Sequence, residues 1–387
     1  MALYLSQRRE WVRQSDIRSM SIECDRMGGV NLSQGVCDTE VPEVVMAEAA
    51  AAMREGYNIY TRYDGLDELR RAIAAKTVRF GGPSVDPERE VVVSAGATGA
   101  FYCACLALLD PGDEVILFEP FYGYHVSTLV ATGATPVYVP LTGADWRFDP
   151  ADLERAVTAK TRAILINTPA NPCGKVFDRD ELDILADFAV SHDLFVFTDE
   201  IYEHFLYDGR THVSPAALPG MAERTVTISG VSKTLSVTGW RVGYALCDAR
   251  FAETIGHFND LVYVCAPSPL QMGVARALDA LGPEYYQGLS DEHQIKRDRI
   301  CAVLARVGLT PHVPQGAYYV LADISRLPGA DGKERAMHLL RTTGVACVPG
   351  EAFYHDGDGR GLARFCYAKK DHDLDRAIAA IESLAVG

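Results

Sequence analysis

The chain has 387 residues, of which 48% are hydrophobic and 23% are charged, a balance typical of globular proteins with a sizeable core. Its 52 acidic and 37 basic residues give a net charge of -15, which argues against a nucleic-acid-binding surface. The ten cysteines lack the paired spacing of a zinc site, and we find no secretory signal. We therefore expect no metal, reduced thiols and a cytoplasmic location.

The first part of the chain predicts helices rather than strands. Residues 1–30 are polar and irregular, and their pattern fits either an arm or a first helix. The Ala-rich segment 44–54 is a predicted helix, as is the segment 68–80, in which apolar residues recur near helical spacing.

Residues 91–109 form an uncharged stretch that is long enough to be weighed as a membrane span. It begins with a β-branched triplet, contains Gly96 and Gly99 in its first half, and is closed by the polar turn 110–113. These features divide it into a short buried strand, a Gly-rich turn and a buried helix. We therefore reject the membrane interpretation.

The middle of the chain alternates short apolar runs with helical segments. Seven of these runs are predicted strands: 91–93, 114–118, 136–139, 163–166, 194–197, 225–228 and 243–246. Because the runs are apolar on both faces and separated by helical segments, they predict a mainly parallel sheet covered by helices. The fold class is therefore α/β.

The pattern changes past about residue 285, where a smaller α+β lobe is predicted. Its predicted strands and helices are the segments 291–307, 317–321, 333–342, 345–348 and 363–367, with a last helix from Leu374. We predict three parts: residues 1–43 as an N-terminal arm and part of the small domain, 44–285 as the large domain, and 286–387 as the C-terminal small domain.

Lys233 is the most informative residue, because it follows the predicted strand 225–228 and is itself followed by a second cation, Arg241. A lysine buried at the end of a strand beside another cation has a lowered pKa and becomes a nucleophile toward an aldehyde. This predicts a Schiff base. On this segment alone, a surface lysine is as good an interpretation.

Two further segments follow strands, where ligands bind in open α/β sheets. Residues 96–99 open a helix, so free backbone N–H groups and the Thr98 hydroxyl could bind a phosphate, although a plain tight turn is the simpler interpretation. Asn167 and Asn171, held among prolines, would aim their amides, unless they only form an Asx-turn.

Three more features suit one ligand. Asp199, at the end of a buried strand, would pair with a protonated ring nitrogen, unless it is only a helix N-cap. The aromatic cluster 120–124 could stack on a heteroaromatic ring or only fill the core. Arg364, among apolar neighbours, suits a carboxylate, which could equally belong to one of the chain's own acids. Together with the other segments, these parts are what pyridoxal phosphate and an amino acid require.

The chain resembles the class I/II aminotransferases of the fold-type I pyridoxal-phosphate superfamily, and it is most similar to the branch with kynurenine, glutamine-phenylpyruvate and methionine aminotransferases. The resemblance runs from about Asn31 to the C-terminus. It is carried by the segments 167–177, 199–204, 232–234, 238–243 and 364–371.

The resemblance implies roles for the residues around the cofactor ring. Lys233 would form the Schiff base and then transfer the proton. Asp199 would pair with the pyridine nitrogen, and Tyr122 would stack on the ring. Asn171 and Tyr202 would hydrogen-bond the ring oxygen.

The resemblance also implies the binding groups and the assembly. The phosphate would be bound by Ala97, Thr98 and Arg241, joined by Tyr60 of the neighbouring subunit of a homodimer. Arg364, with Asn171 and the backbone of Gly35, would bind the substrate α-carboxylate.

The function implied is amino-group transfer between an L-amino acid and a 2-oxo acid, in amino acid metabolism or biosynthesis. Two departures suggest a specialised member: Gly230 replaces a serine that usually touches the phosphate, and Cys173 replaces a threonine. The same scaffold also supports elimination, replacement, oxidation or bond formation. A non-catalytic regulator is a third possibility, against which the full set of catalytic residues argues.

Overall fold

The structure is a computed structural model that describes residues 3–5 and 16–385. The strands, in chain order, are β1 (Val30–Asn31), β2 (Val91–Ala95), β3 (Glu114–Glu119), β4 (Thr135–Pro140), β5 (Thr161–Asn167), β6 (Phe195–Asp199), β7 (Thr225–Gly230), β8 (Val242–Leu246), β9 (Thr310–His312), β10 (Tyr319–Asp323), β11 (Val345–Ala346), β12 (Val348–Pro349) and β13 (Leu362–Cys366).

The α-helices are α1 (Asp16–Met27), α2 (Glu43–Glu55), α3 (Asp67–Arg79), α4 (Gly96–Leu108), α5 (Gly123–Thr132), α6 (Pro150–Ala156), α7 (Arg179–Ser191), α8 (Ala249–Tyr263), α9 (Ser268–Ala280), α10 (Pro283–Arg306), α11 (Gly332–Thr343) and α12 (Asp371–Glu382).

A seven-stranded sheet has the strand order β2-β8-β7-β6-β5-β3-β4. Strands β3, β4, β5, β6 and β7 pair in parallel, whereas β8 runs antiparallel to both of its neighbours. Alternate residues of β3 enter different core clusters, since Ile116 and Phe118 pack in one and Val115 and Leu117 in another. The sheet is therefore buried on both faces, as its apolar runs predict.

The later part of the chain forms a four-stranded antiparallel sheet of order β12-β13-β10-β9. A short parallel pair, β1 with β11, joins Val30 to Val345. Residues of α1, α10, α11 and α12 share one core cluster with β10 and β13. The domain boundaries predicted at residues 43 and 285 stay predictions.

The mainly parallel mixed sheet and all seven strands predicted between residues 91 and 246 are confirmed. The uncharged stretch 91–109 is β2 followed by α4, as expected. No helix among residues 3–5 and 16–385 is long and apolar enough to cross a bilayer.

The segment 345–348 is not one strand, as the sequence predicted, but two. Val345–Ala346 pairs with β1, and Val348–Pro349 pairs with β13. Both pieces are buried, so the apolar run is continuous through residues 345–348. Hydrophobicity alone therefore did not reveal that the chain passes from pairing with β1 to pairing with β13. Strand β9 was not predicted, because its Pro311 cannot donate a ladder hydrogen bond and is tolerated at an edge.

The uncertainty over residues 1–30 is resolved in part, since Asp16–Met27 is the helix α1. Residues 1–2 and 6–15 of the proposed arm lie outside the described residues. All ten cysteines are free thiols, and most of them are buried. The cytoplasmic location stays a prediction.

A buried ion pair ties α3 to the chain beyond β6. Lys76 is 3% exposed, and its Nζ lies 2.6 Å from Glu203 Oε1 and 3.2 Å from the Tyr244 hydroxyl. Ser229 also donates to Glu203. Burial by itself would raise the pKa of Glu203, but the neighbouring lysine outweighs it and lowers that pKa to about 2. Both groups are therefore charged in the folded protein.

We expect Lys76→Met to destabilise the protein by about 3–5 kcal/mol, because Glu203 would remain charged and buried without its partner. Adding Glu203→Leu should recover much of that loss, since an apolar pair needs no charge compensation. Thermal or denaturant unfolding measures both effects. Arg71→Met, which removes an exposed helix-surface cation, is the matched control, and a loss as large as that of Lys76→Met would contradict this account.

Candidate active site

A cavity of about 630 Å³ opens where the parallel strands end, a size typical of ligand-binding sites. It is lined by all but one of the residues to which the family resemblance gives a role: Gly35, Ala97, Thr98, Tyr122, Asn171, Asp199, Tyr202, Lys233, Arg241 and Arg364. The exception is Tyr60, whose side chain is 80% exposed on the surface.

The sheet topology explains why these residues meet. Strands β5 and β6 run in parallel with Asn167 opposite Asp199, so their carboxyl ends lie together. Strand β8 runs the other way and begins at Val242, opposite Ala95 of β2. Arg241 therefore precedes a strand yet lies at the same edge as residues that follow strands.

Lys233 faces the cavity, and its Nζ donates to the Gly35 carbonyl at 3.0 Å. It also lies 5.9 Å from the centroid of the Tyr318 ring. Among the residues that the structure describes, no carboxylate forms an ion pair with it. Burial lowers the pKa of Lys233, and the Arg241 charge adds to this effect. The amine is therefore more readily neutral, and so more nucleophilic, than a surface lysine.

Asp199 is paired with a residue that the sequence analysis missed. Its Oδ2 lies 2.8 Å from His125 Nε2, and its Oδ1 accepts a long hydrogen bond of 3.3 Å from the Ile201 N–H. The N-cap alternative does not apply, because the residues after Asp199 form turns rather than a helix. His125 lies in α5 and is buried. Its place directly after the aromatic cluster 120–124 was the signal that the sequence offered.

Arg364 is a buried guanidinium with no acid partner among the described residues. It is 1% exposed, donates to the Ser33 carbonyl at 2.6 Å, and lies 4.3 Å from the centroid of the Tyr319 ring. The Arg364 Nε has no hydrogen-bond partner among the residues that the structure describes. The internal ion pair considered from the sequence is therefore not formed with any described acid, and the guanidinium can take an external carboxylate.

The Asn-Pro turn holds its two amides in fixed positions. Asn167 donates to the Asp199 carbonyl at 3.0 Å and accepts from the Asn171 backbone N–H at 2.8 Å. Asn171 Oδ1 in turn accepts from Arg364 at 2.9 Å. The Asn171 Nδ2 makes no hydrogen bond to any residue within the described ranges, so it remains a donor for a ligand.

An anion cradle lies at the start of α4. The residue before the helix, Ala95, offers no side-chain cap, so the first backbone N–H groups are free for a ligand. Arg241 lies beside them, donating to the carbonyls of Ala95 and Thr238. Gly96 has a φ of 76°, and a Cβ there would clash with the Arg241 guanidinium. The helix N-terminus and the cation together favour a phosphate.

Aromatic side chains form another part of the wall. The rings of Tyr122 and Tyr124 stack with centroids 5.3 Å apart, and Tyr122 stands perpendicular to His125. Tyr202 shares a 2.9 Å hydrogen bond with the hydroxyl of Tyr319, a second wall residue that the sequence analysis missed. Burial raises the pKa of both hydroxyls, so they remain neutral hydrogen-bonding groups.

The two departures from the family pattern have structural reasons. A Cβ on Gly230 would lie 2.9 Å from the Gly243 Cα and 3.0 Å from the Val242 carbonyl, so β7 and β8 leave no room for a serine. Cys173 is 1% exposed, and burial raises the pKa of its thiol to about 11. It is therefore an inert core thiol.

At the strand ends of this mainly parallel sheet lie a lysine with a lowered pKa, an acid and an anion cradle. These groups together are typical of a group-transfer enzyme with an anionic cofactor. The chain belongs to the family of class I and II aminotransferases, whose family model matches residues 28–381.

Similar proteins agree with this assignment. The mouse protein named kynurenine–oxoglutarate transaminase 3 is 38% identical over 378 residues, which cover 90% of this chain and 83% of that protein. The structure of N-succinyldiaminopimelate aminotransferase from Mycobacterium tuberculosis has a TM-score of 0.95 at 38% identity and covers 99% of this chain and 100% of that chain. Escherichia coli YbdL, described with a methionine aminotransferase function, has a TM-score of 0.94 at 31% identity and covers 99% and 100%.

The protein is therefore a pyridoxal-phosphate-dependent aminotransferase acting on amino acid and 2-oxo acid substrates. The other reaction types considered from the sequence are not favoured. The described residues fit this cofactor, because the cradle suits its phosphate, the Tyr122 ring suits its aromatic face, and Asp199 lies in the same cavity.

We expect Lys233→Ala to abolish the covalent link to the cofactor that borohydride reduction would otherwise fix, and to reduce turnover by several orders of magnitude. Mass spectrometry of the reduced protein and steady-state kinetics measure the two effects. Lys160→Ala, which removes an exposed lysine that is not part of the cavity wall, should change neither. Activity near that of the wild type would show that Lys233 is not the reactive amine.

We expect Asp199→Ala to lower kcat much more than it raises KM, because the acid would stabilise charge that develops on the cofactor ring during reaction. Steady-state kinetics with one amino acid over a range of concentrations separates the two parameters. An unchanged kcat with only a raised KM would show instead that Asp199 is structural.

Proposed function

We propose that amino-group transfer takes place in this cavity and that Lys233 is its reactive amine. The observation that carries the proposal is the lowered pKa of Lys233 in a cavity that it shares with Asp199, the anion cradle and the unpaired Arg364. A nucleophilic amine, a phosphate site and a carboxylate site are required together for this reaction and for few others.

When bound, pyridoxal phosphate supplies an aldehyde and an electron-withdrawing ring. Asp199 would keep the ring nitrogen protonated, and its bond to His125 would hold the carboxylate in position. The free Asn171 Nδ2 and the neutral Tyr202 hydroxyl are the donors available for the ring oxygen. Hydrogen bonds from these donors would stabilise the deprotonated form of the cofactor's ring oxygen and so lower its pKa.

Substrate binding would rest on Arg364. Its Nη groups are held by Asn171 and Ser33, which leaves the guanidinium in a fixed orientation for the α-carboxylate of an amino acid or a 2-oxo acid. The Gly35 backbone borders the same place, and a side chain at Gly35 would clash with the Tyr319 ring. Lys233 Nζ, bound to the Gly35 carbonyl, would carry the proton that moves during transfer.

We propose that the active protein is a homodimer in which Tyr60 completes the partner's phosphate site. The side chains of Ile59, Tyr60 and Leu261 are 78%, 80% and 80% exposed, an unusual exposure for large apolar groups. Val264, at the end of α8, has a φ of 64°, which is strained for a β-branched residue and is typical of functional segments. These features support a surface that a second copy covers.

We also propose the division into a small domain, built from residues 1–43 and 286–387, and a large domain, residues 44–285. The pairing of β1 with β11 and the shared core of α1 with α10, α11 and α12 support it.

The activity itself is tested by incubating the purified protein with a panel of L-amino acids and 2-oxo acids. Formation of the amino acid that corresponds to the added oxo acid demonstrates transfer. Loss of ammonia or of a side-chain group without that product would mean another reaction.

We expect mixtures of two inactive variants, Lys233→Ala and Tyr60→Ala, to regain activity once subunits exchange. Each heterodimer would contain one site with an intact Lys233 and an intact partner Tyr60, so random mixing should restore about a quarter of the wild-type activity.

A mixture of Lys233→Ala with Asp199→Ala is the matched control. Both residues would come from the same chain, so neither site of that heterodimer is complete and no activity should return. The proposal for Tyr60 fails if the first mixture exchanges subunits and stays as inactive as the second.

A further inference from the structure

One face of α1 forms part of the cavity wall, and none of its residues has a role so far. The residues of this face are Ile17, Arg18, Ser21, Ile22 and Asp25. They follow helical spacing, so the side chains lie along one side of α1. A wall with both apolar and charged groups is typical of a site that distinguishes substrate side chains.

Arg18 is the outstanding member of this face. Its side chain is exposed, lines the cavity, and forms neither an ion pair nor a hydrogen bond with any residue that the structure describes. Most other arginines among the described residues pair with an acid, as Arg26 does with Glu23 on the same helix. An unpaired guanidinium on a ligand cavity is a candidate for binding an anion.

A chain of contacts locates Arg18 relative to the proposed α-carboxylate site. The hydroxyl of Ser21 lies 3.2 Å from that of Ser33, and the Ser33 carbonyl accepts from Arg364 at 2.6 Å. Ser21 lies one turn after Arg18, which is roughly 4.5 Å along the helix axis. The two guanidinium groups therefore border the same end of the cavity, separated by a distance that a short carbon chain and the flexible Arg18 side chain can span.

We propose that Arg18 binds the distal carboxylate of a dicarboxylic amino acid or 2-oxo acid whose α-carboxylate lies on Arg364. The inference rests on the function proposed above and names the substrate class of that site. Ile17 and Ile22 flank Arg18 on the wall and suit the methylene groups between the two carboxylates.

The other charge on this face does not cancel the effect. Asp25 lies seven residues beyond Arg18, roughly 10.5 Å along the helix, so its repulsion is weaker and largely screened by salt. On this wall Arg18 and Arg364 are the two cations that have no role toward the cofactor, and two cations suit a substrate with two negative charges.

The test compares substrates that differ only in the distal carboxylate, such as glutamate against norvaline, each with its oxo acid. We expect Arg18→Met to lower kcat/KM for the dicarboxylic substrate about tenfold or more and to leave the neutral one within about twofold. Arg18→Lys should restore part of the selectivity, because it keeps the charge but loses the planar fork. Arg26→Met, which removes an exposed cation outside the cavity wall, is the matched control.

A binding measurement separates this inference from the proposed function, because it requires no turnover. Calorimetric titration of the holoenzyme with succinate should give a Kd that rises about tenfold in Arg18→Met, whereas the Kd for butanoate should stay the same. If the wild type transfers no amino group from either substrate series, the proposed function fails, whatever the titration shows.

Three results would overturn the role of Arg18 itself. One is an equal loss for dicarboxylic and neutral substrates in Arg18→Met, which would indicate a structural effect on α1. Another is unchanged succinate binding and unchanged selectivity. The third is a wild-type preference for substrates with a distal amine, provided that Asp25→Asn removes this preference. That result would make Asp25, and not Arg18, the residue that selects the substrate.

Discussion

The site depends on cations that the protein buries without giving them carboxylate partners. Arg364 and Lys233 are enclosed by aromatic rings and backbone carbonyls, and within the described residues neither forms an ion pair. For Arg364, which stays charged, this arrangement opposes folding, since an uncompensated buried cation is unfavourable. The proposed substrate carboxylate would supply the negative charge that Arg364 lacks, so substrate binding would recover part of this unfavourable free energy. The lowered pKa of Lys233 has the same origin.

The sheet makes this arrangement possible. Parallel strands end at one edge, where Asn167, Asp199 and the chain leading to Lys233 lie together. The single antiparallel strand, β8, then returns the chain to that edge, so that Arg241 reaches the N-terminus of α4. The Gly230–Gly243 contact shows how close the strands approach there, and it explains why no serine side chain fits at Gly230.

The wall formed by α1 contributes a different kind of group to the cavity, because it carries side chains suited to substrate binding and holds no part of the Lys233–Asp199 region. The Ser21–Ser33–Arg364 contacts couple the helix to the α-carboxylate site. A residue on α1 can therefore distinguish substrates without contacting the reacting atoms. Arg18 and Asp25 carry opposite charges on this wall, so small changes in α1 would change selectivity while leaving Lys233 and Asp199 in place.

The sequence by itself determined the features that local pattern encodes. Apolar runs with helical spacers gave the sheet, since burial on both faces leaves a pattern in consecutive residues. Lys233, the Asn-Pro turn and Arg364 were identifiable because each stands at the end of a strand or among apolar neighbours. Only the tertiary structure decided the rest. His125 pairs with Asp199 across 74 positions of the chain, and Tyr319 meets Tyr202 across 117, while the split of 345–348 depends on two different partner strands. That no acid among the described residues pairs with Arg364 likewise depends on all of the segments packed around it. Contacts of this kind arise from packing between distant segments, and no single segment contains the information that specifies them.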